Sequence, residues 1–354
     1  MTSPSVPPPV PREPHIDHAG LGALRDVLRA AERCRVFVIQ GAGARHSARL
    51  ESELRGLEVA YFSEARRHVP RDLVERAAQA LQAFRADTVL SVGGGSATGL
   101  GKALRLQHSF YFVAVPTTYA GSELTNLYGI TSAAGKQTGR DWRVVPDVVL
   151  YDVELTLDMP LALGVTSLIN GLAHPLSALS TKQLSPDAAA TALAAAGAAR
   201  RALQGVLERP GERASRRAAF EATVLSGRVL ARGPVGVHHK LAHLLGGAFD
   251  LDHAGLHSVL LPHSLDELKR QSPELHAVIA AELGWEDPAE RLLEALGRAG
   301  ACTSLAQLGV PEEPFRRLVS EHPELPRAAL EAAYAGRRAA GTPAAGKAAT
   351  GMVV

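Results

Sequence analysis

Residues 87–104 read DTVLSVGGGSATGLGKAL, and this stretch decides the fold. A β-branched, apolar run ends at Val92; Gly93, Gly94, Gly95 and Ser96 follow; alanine and leucine then recur at helical spacing. Strand, glycine turn and helix in this order form half of a βαβ unit. In such a unit the backbone amides at the helix N-terminus can approach a phosphate, and the helix dipole favours its charge. The run is not the G-x-G-x-x-G fingerprint, and a tight strand-to-helix corner needs glycine in any case. On this stretch alone, phosphate binding and simple corner-turning are equal readings.

The flanking sequence repeats the pattern. RVFVIQ (35–40), LEVAYF (57–62), YFVAVP (111–116) and VVPDVVLYD (144–152) read as further strands, and LVERAAQALQAF (73–84) carries apolar residues three and four apart. Such alternation predicts a parallel, doubly wound sheet. Past Asp152 the strand-like runs stop, and alanine and leucine at helical spacing dominate to about residue 335. Pro160 in LTLDMP (155–160) supplies a helix start. The expected organisation is a proline-rich disordered leader at 1–14, a nucleotide-binding, Rossmann-like α/β domain at 15–155, an all-α catalytic domain at 156–335 and a flexible tail at 336–354.

Composition excludes several classes. The 354 residues carry Lys+Arg 38 against Asp+Glu 36, a net charge of +2, with the basic residues spread along the chain. Nucleic acid is therefore not an expected partner. Cys34 and Cys302 lack metal-site spacing and suit a reducing, cytoplasmic setting. The leader has no apolar core of a signal peptide. The alanine-rich stretch Ala188–Leu203 is broken by Thr191, Gly197 and Arg200, so no membrane span is expected.

Two further stretches carry chemistry. VPTTYAGSELT (115–125) follows a strand on the carboxyl edge of the sheet, where ligands of α/β proteins bind, and offers the hydroxyls of Thr117, Thr118 and Ser122. The same residues could simply cap a turn. GPVGVHHKLAHLLGGAFDLDHAGLHSVLLPH (233–263) holds His238, His239, His243, His253, His257 and His263, six of the 14 histidines. His239 and His243 share a helix face by spacing, the Gly246–Gly247 pair reads as a break, and His253 could fold back toward them. Asn170 and His174 repeat the four-residue spacing upstream. Neutral imidazoles so arranged suit zinc or iron. An uncharged amide at Asn170, where a carboxylate is expected, weighs against a bound metal and favours a histidine-lined anion pocket.

GGGSATGLGKA, PTTYAGSE, NGLAH and HHKLAHLLGGAFDLDHA, in this order, are together similar to the iron-containing alcohol dehydrogenase family. PTTYAGSELT, YGIT, GKQTGRD, VVLYDVELTLDMP and HHKLAHLLGG resemble its maleylacetate reductase branch, over about residues 15 to 335. The resemblance implies an N-terminal nucleotide-binding domain, a helical C-terminal domain, an active cleft between them and a homodimer. It implies that Gly93, Gly94, Gly95 and Ser96 bind the pyrophosphate of NADH or NADPH, and that Thr117, Thr118 and Ser122 line the nicotinamide side. Lys102 matches a family lysine or only supports the turn. The metal positions it implies are Asn170, His174, His239 and His253, for iron or zinc; Asn170 puts that metal in doubt and is shared with the reductase branch. His243 matches the further active-site histidine near the nicotinamide. The catalytic set so expected is His243, His239, His174 and His253, acting on a dicarboxylate-type unsaturated keto acid, with Arg140 available to its carboxylates.

Four residues depart from the family pattern: Asp252, Gly255, Leu256 and Ser180. An acid at 252 repels a dianion unless it is paired or turned away. Gln40 and Gly41 stand where NAD-preferring members place an acidic residue, so NADH and NADPH are both open. The competing readings are a metal-dependent alcohol dehydrogenase on a small alcohol or aldehyde, a cyclase or lyase of the dehydroquinate synthase type, and a catalytically silent family member.

Overall fold

A computed structural model of the chain describes residues 11–132 and 135–338. Six strands form a fully parallel sheet: β1 (His15–Asp17), β2 (Arg35–Ile39), β3 (Glu58–Phe62), β4 (Thr88–Gly93), β5 (Tyr111–Pro116) and β8 (Val148–Leu150), in the order β1-β8-β5-β4-β2-β3. β6 (Leu127–Ser132) and β7 (Gly135–Arg140) form a separate antiparallel hairpin.

Alternation along the strands divides the apolar side chains between two faces. Val36, Val38, Leu90 and Val92 pack with Leu24 and Leu28 of α1 (Leu24–Ala30) and Leu50 of α2 (Ser47–Glu53). Phe37, Ile39 and Val89 pack on the other side with Leu73 and Leu81 of α3 (Arg71–Phe84) and Leu100 and Leu104 of α4 (Gly95–Arg105). Covered on both faces, the strands carry near-continuous apolar runs, which is why they were legible in sequence. The strand order reverses between β2 and β4, so the carboxyl end of β4 lies at a topological switch point, where ligands of open α/β sheets bind.

The second domain is helical, as expected. It comprises α5 (Leu161–Ser180), α6 (Pro186–Glu208), α7 (Arg213–Arg232), α8 (Val237–Phe249), α9 (His253–Gln271), α10 (Pro273–Leu283), α11 (Pro288–Arg298), α12 (Glu312–Glu321) and α13 (Arg327–Ala335). β8 ends at Leu150 and α5 begins at Leu161 with Pro160 as its N-cap, so the expected boundary near residue 155 falls in the intervening one-turn helix Val153–Thr156. α5 is long and apolar enough to cross a membrane by length and composition, but 83% of its apolar 18-residue stretch is buried. Leu168, Leu172 and Leu176 of α5 share one core with Ala195 and Ala199 of α6, Phe220 of α7 and Leu261 of α9.

Three sequence expectations need correction. β1 and the hairpin β6–β7 were not read as strands: β1 is three residues long at a sheet edge, and the hairpin, GKQTGR on one side, lacks apolar alternation. The helix does not break at Gly246–Gly247; α8 runs to Phe249 and ends where Asp250 takes a left-handed conformation at φ 51°. The leader and tail are held where they are described. Arg12 pairs with Asp147, and Glu13 with Arg228 and Arg232. Arg338 bridges the buried Asp266 of α9 and Asp287 at the start of α11, the latter at 2.6 Å. The rest of both segments, 1–10 and 339–354, lies outside the described residues.

Removing Arg338 would leave two buried carboxylates without their paired cation, and breaking a buried pair typically costs about 3–5 kcal/mol. Arg338→Ala is therefore expected to lower unfolding stability by roughly 3 kcal/mol in a denaturant titration; a loss under about 0.5 kcal/mol, the size of an ordinary surface substitution, would contradict the clasp.

Candidate active site

The glycine turn is built by backbone geometry. Gly93 ends β4 at φ +149°, a value that side chains rarely adopt, and Gly94 is the extended N-cap of α4, which has no side-chain cap. The helix therefore presents its first amides bare at the carboxyl edge of the sheet, the arrangement that suits a phosphate. Gly93 lies opposite Pro116 across the β4–β5 ladder, and the Thr117 amide donates to the Gly93 carbonyl at 3.0 Å. The two loops implied in cofactor binding are thus adjacent. A Cβ on Gly94 would come within 3.0 Å of the Thr118 side chain. The donors present fit a pyrophosphate. Gln40 does not reach toward a ribose: it is buried and donates to Ser63 Oγ at 3.0 Å.

Lys102 explains how the second loop is held. Its ammonium, wholly buried, donates to the carbonyls of Ser122, Thr125 (2.7 Å) and Leu127 (3.0 Å) and to Thr125 Oγ1 (3.0 Å). Burial lowers its pKa to about 7, against the pull of Glu123. Lys102 thus ties α4 to the loop that carries Ser122 and does not point at a phosphate. The loop then meets the helical domain with almost no gap, since a Cβ on Gly121 would lie 3.2 Å from the Gly227 backbone of α7.

Across that contact stands the histidine cluster. His174 Nε2 lies 3.0 Å from the Ala120 carbonyl, and His174 Nδ1 lies 3.0 Å from His239 Nε2. A carbonyl only accepts, so the proton sits on His174 Nε2. His174 Nδ1 is then an acceptor, His239 Nε2 must donate to it, and His239 Nδ1 is left as a lone pair. A second chain runs parallel. Ser264 Oγ donates to the Leu260 carbonyl at 3.0 Å and so accepts from His238 Nδ1 at 2.9 Å; His238 Nε2 in turn accepts from His257 Nδ1 at 2.9 Å. His257 Nε2 is left as the second lone pair. Among the described residues, His239 Nδ1, His257 Nε2 and Asn170 Oδ1 are buried without a hydrogen-bond partner.

Burial keeps these rings neutral. It lowers the pKa of His174 to about 4 and of His238 to about 3, and holds His239 and His257 well below the usual 6.5. A protonated histidine in this interior, one of the options read from sequence, is therefore disfavoured. His253, the first residue of α9, does fold back: its ring centroid lies 4.3 Å from that of His257 and 5.9 Å from that of His243. Both His243 and His253 are exposed, so the cluster runs from a buried floor to an open mouth.

The structure brings together five of the six histidines. His263 stands apart, with Asp266 and Arg338 the charges that act on it. His238 and His257 were in the quoted stretch but not in the expected catalytic set. The signal for His257 was its place four residues after His253, on the same face of α9. Arg140 is engaged elsewhere, donating to the Ala231 carbonyl at 2.9 Å and to Asn126 Oδ1 at 3.3 Å. The four departures have local causes. Asp252 caps α9 by accepting from the Gly255 amide at 2.7 Å, and Leu256 is core. Ser180 Oγ donates to the Ser177 carbonyl, beside Gly236.

Residues 14–153 match the family described as iron-containing alcohol dehydrogenase, and residues 164–330 its C-terminal domain. The chain belongs to that family and is an NAD(P)-dependent oxidoreductase. It is 38% identical over 301 residues to maleylacetate reductase of Burkholderia cepacia, covering 83% of this chain and 85% of the relative. The structure of maleylacetate reductase from Agrobacterium tumefaciens matches with TM-score 0.82 and 35% identity, covering 94% of this chain and 99% of that one. An iron-containing alcohol dehydrogenase from Corynebacterium glutamicum matches with TM-score 0.82 and 31% identity, over 94% and 98%.

The neutral rings make stability depend on pH. Folded, His174 and His238 titrate near 4 and 3; unfolded, each returns to 6.5. As pH falls below 6.5 the unfolded chain takes up protons first, so stability is full above about 7 and falls until each folded-state pKa is reached. Denaturation midpoints at pH 8, 6 and 5 are expected to fall in that order, and a flat profile across this range would show that the rings are not held neutral.

Proposed function

We propose that this chain reduces maleylacetate, or a close unsaturated keto acid, to 3-oxoadipate or its analogue, with NADH or NADPH as reductant. The observation that carries the reading is that, among the described residues, the buried histidine group of His238, His239 and His257 includes no carboxylate. Asn170 takes the place of an acid, and Asp252 is turned aside to cap α9. A dianionic substrate therefore meets no carboxylate on the buried floor formed by His238, His239 and His257. The maleylacetate reductases to which the chain is similar support the same substrate.

In this reading the bare first turn of α4, at Gly93, Gly94, Gly95 and Ser96, holds the pyrophosphate, and Thr117, Thr118 and Ser122 flank the nicotinamide. Bound reduced nicotinamide supplies a hydride to the carbon–carbon double bond conjugated with the ketone. Negative charge then grows on the ketone oxygen, which becomes an enolate, and a proton must reach the neighbouring carbon. We assign the holding and delivery of that proton to His243 and His253, a reading supported by their exposure at the mouth. His174 and His239 set the floor, their orientation fixed by the Ala120 carbonyl. The buried imidazole lone pairs fit a divalent first-row cation, the iron of the family description, whose chemistry is to polarise the ketone as a Lewis acid. Cys34 and Cys302, both free of disulfides, support a cytoplasmic setting, and the family resemblance supports a homodimer.

The direct test is absorbance loss from NADH or NADPH on adding maleylacetate. Reduction of simple aldehydes with no response to maleylacetate would favour the alcohol dehydrogenase reading instead. Loss of a positioned proton donor typically costs 10²–10⁴-fold, so His243→Ala is expected to lower kcat by about 100-fold or more while the cofactor Kd changes little. An unchanged kcat removes His243 from the chemistry. Gly94→Val is expected to behave oppositely, raising the Kd for the reduced cofactor at least about 10-fold by separating the phosphate from the amides and displacing Thr118; an unaltered Kd would contradict the glycine-turn assignment.

A further inference from the structure

Arg216 of α7 is 1% exposed, and among the described residues no carboxylate pairs with it. Its Nε donates to the Pro210 carbonyl at 2.8 Å and its Nη1 to the Tyr119 hydroxyl at 3.3 Å. A guanidinium held inside a protein by neutral oxygens is costly, and an apolar side chain of similar volume often packs at least as stably. What the guanidinium adds is direction, since it fixes where the Tyr119 hydroxyl must lie. Tyr119 is itself fully buried and stands in the middle of the loop after β5, with Thr117 and Thr118 before it and Ala120 and Ser122 after it.

We propose that Tyr119 and Arg216 are positioning residues for hydride transfer, pinning the sheet domain's loop into the helical domain so that nicotinamide and histidine floor keep one spacing. The pin rests on the reductase reading for the reaction it serves, but its geometry does not. Every part of Tyr119 is held from the helical side. Its ring packs edge-to-face on Phe220 of α7, with centroids 5.1 Å apart; its hydroxyl takes the Arg216 bond; its carbonyl accepts from Thr223 Oγ1 at 3.2 Å. Thr156, in the one-turn helix that links the domains, stands beside the same hydroxyl. α5 is cut away to admit both partners. A Cβ on Gly171 would come within 3.0 Å of the Tyr119 carbonyl, and one on Gly164 within 3.2 Å of Arg216 Nη1. These glycines are seven apart and so share a face of α5, and glycine inside a helix is otherwise destabilising. A shift of Tyr119 moves both of its neighbours at once: Thr118 carries the cofactor side, and the Ala120 carbonyl carries the bond from His174. Misplacing reacting groups by about 1 Å can cost about 100-fold in rate, even when the cause lies outside the chemistry. Lys102 and its acceptors all belong to the sheet domain, so that tether does not set this spacing.

The test uses the full-length protein with reduced cofactor and maleylacetate. Tyr119→Phe keeps the ring and removes only the hydroxyl; Arg216→Met keeps most of the volume and removes the donor. Both are expected to lower kcat by about 10–100-fold while the Kd for reduced cofactor stays within about threefold. Deuterium at the transferred position is expected to slow the variants more than the wild type, because hydride transfer and not product release then limits turnover. The double variant is expected to lie within about threefold of the worse single variant, as for two ends of one contact. Melting curves taken alongside separate a folding defect from lost alignment. A Tyr119→Phe kcat within about twofold of wild type, a loss confined to cofactor Kd, or losses that simply multiply in the double variant overturn the proposal. If the wild type leaves the reduced cofactor unoxidised with maleylacetate, the reductase reading fails, and the pin is read from His174 alone. The His174 Nε2 proton is expected to exchange with solvent at least about 10-fold faster in Tyr119→Phe, because the Ala120 carbonyl is no longer held, and equal exchange in the two proteins contradicts the pin.

Discussion

The hydrogen bond from His174 Nε2 to the Ala120 carbonyl, 3.0 Å long, is the contact on which the site depends. It joins the two domains, since Ala120 belongs to the loop after β5 and His174 to α5. It also sets a proton pattern. Because a carbonyl cannot donate, the direction of every later bond in that chain follows, and His239 is left with a bare nitrogen inside the protein. Replacing that carbonyl by a donor would reverse the chain and turn His239 Nδ1 from acceptor to donor.

The carbonyl can serve this way only because its loop is immobilised from both sides. From the sheet side Lys102 gathers the Ser122, Thr125 and Leu127 carbonyls. Burying an ammonium is costly, as its pKa of about 7 records, and four oxygen acceptors offset part of that cost. From the helical side Gly121 and Gly227 bring two backbones together where any side chain would collide, and Thr223 Oγ1 adds a bond to the Tyr119 carbonyl at 3.2 Å. The same loop stands beside the glycine turn through the Thr117 amide. Glycine turn and histidine floor are therefore positioned by one segment.

Much of this was legible in the residues. The parallel sheet followed from apolar runs, and the glycine turn from its place between a strand and a helix. The histidine stretch was recognised as chemistry, and His253 was expected to return. The edge strand β1 and the hairpin were not legible, because three residues carry no periodicity and GKQTGR has no apolar face. Gly246 and Gly247 misled because glycine lowers helix propensity only modestly, while the Leu241, Ala242 and Leu245 face of α8 is buried and sustains the helix. Tautomers were out of reach altogether. Which nitrogen carries a proton depends on partners such as Ala120 and Ser264, distant in sequence and unremarkable in type. Asp252 looked like a substrate-repelling acid, and only its bond to the Gly255 amide reveals a helix cap.

The chemical consequence is an interior that accepts and does not donate. Neutral imidazoles whose free nitrogens are lone pairs cannot donate to carboxylates or an enolate, whereas His243 and His253 lie exposed at the mouth. This ordering is directly observable. Long-range proton–nitrogen correlation spectra of the metal-free protein, with ¹⁵N-labelled histidine and at neutral pH, report the protonation of each ring nitrogen. The expected result is His174 and His239 protonated on Nε2, and His238 and His257 on Nδ1, all four neutral. An imidazolium among these four, or the opposite tautomer at His239, would contradict the proton pattern set by Ala120.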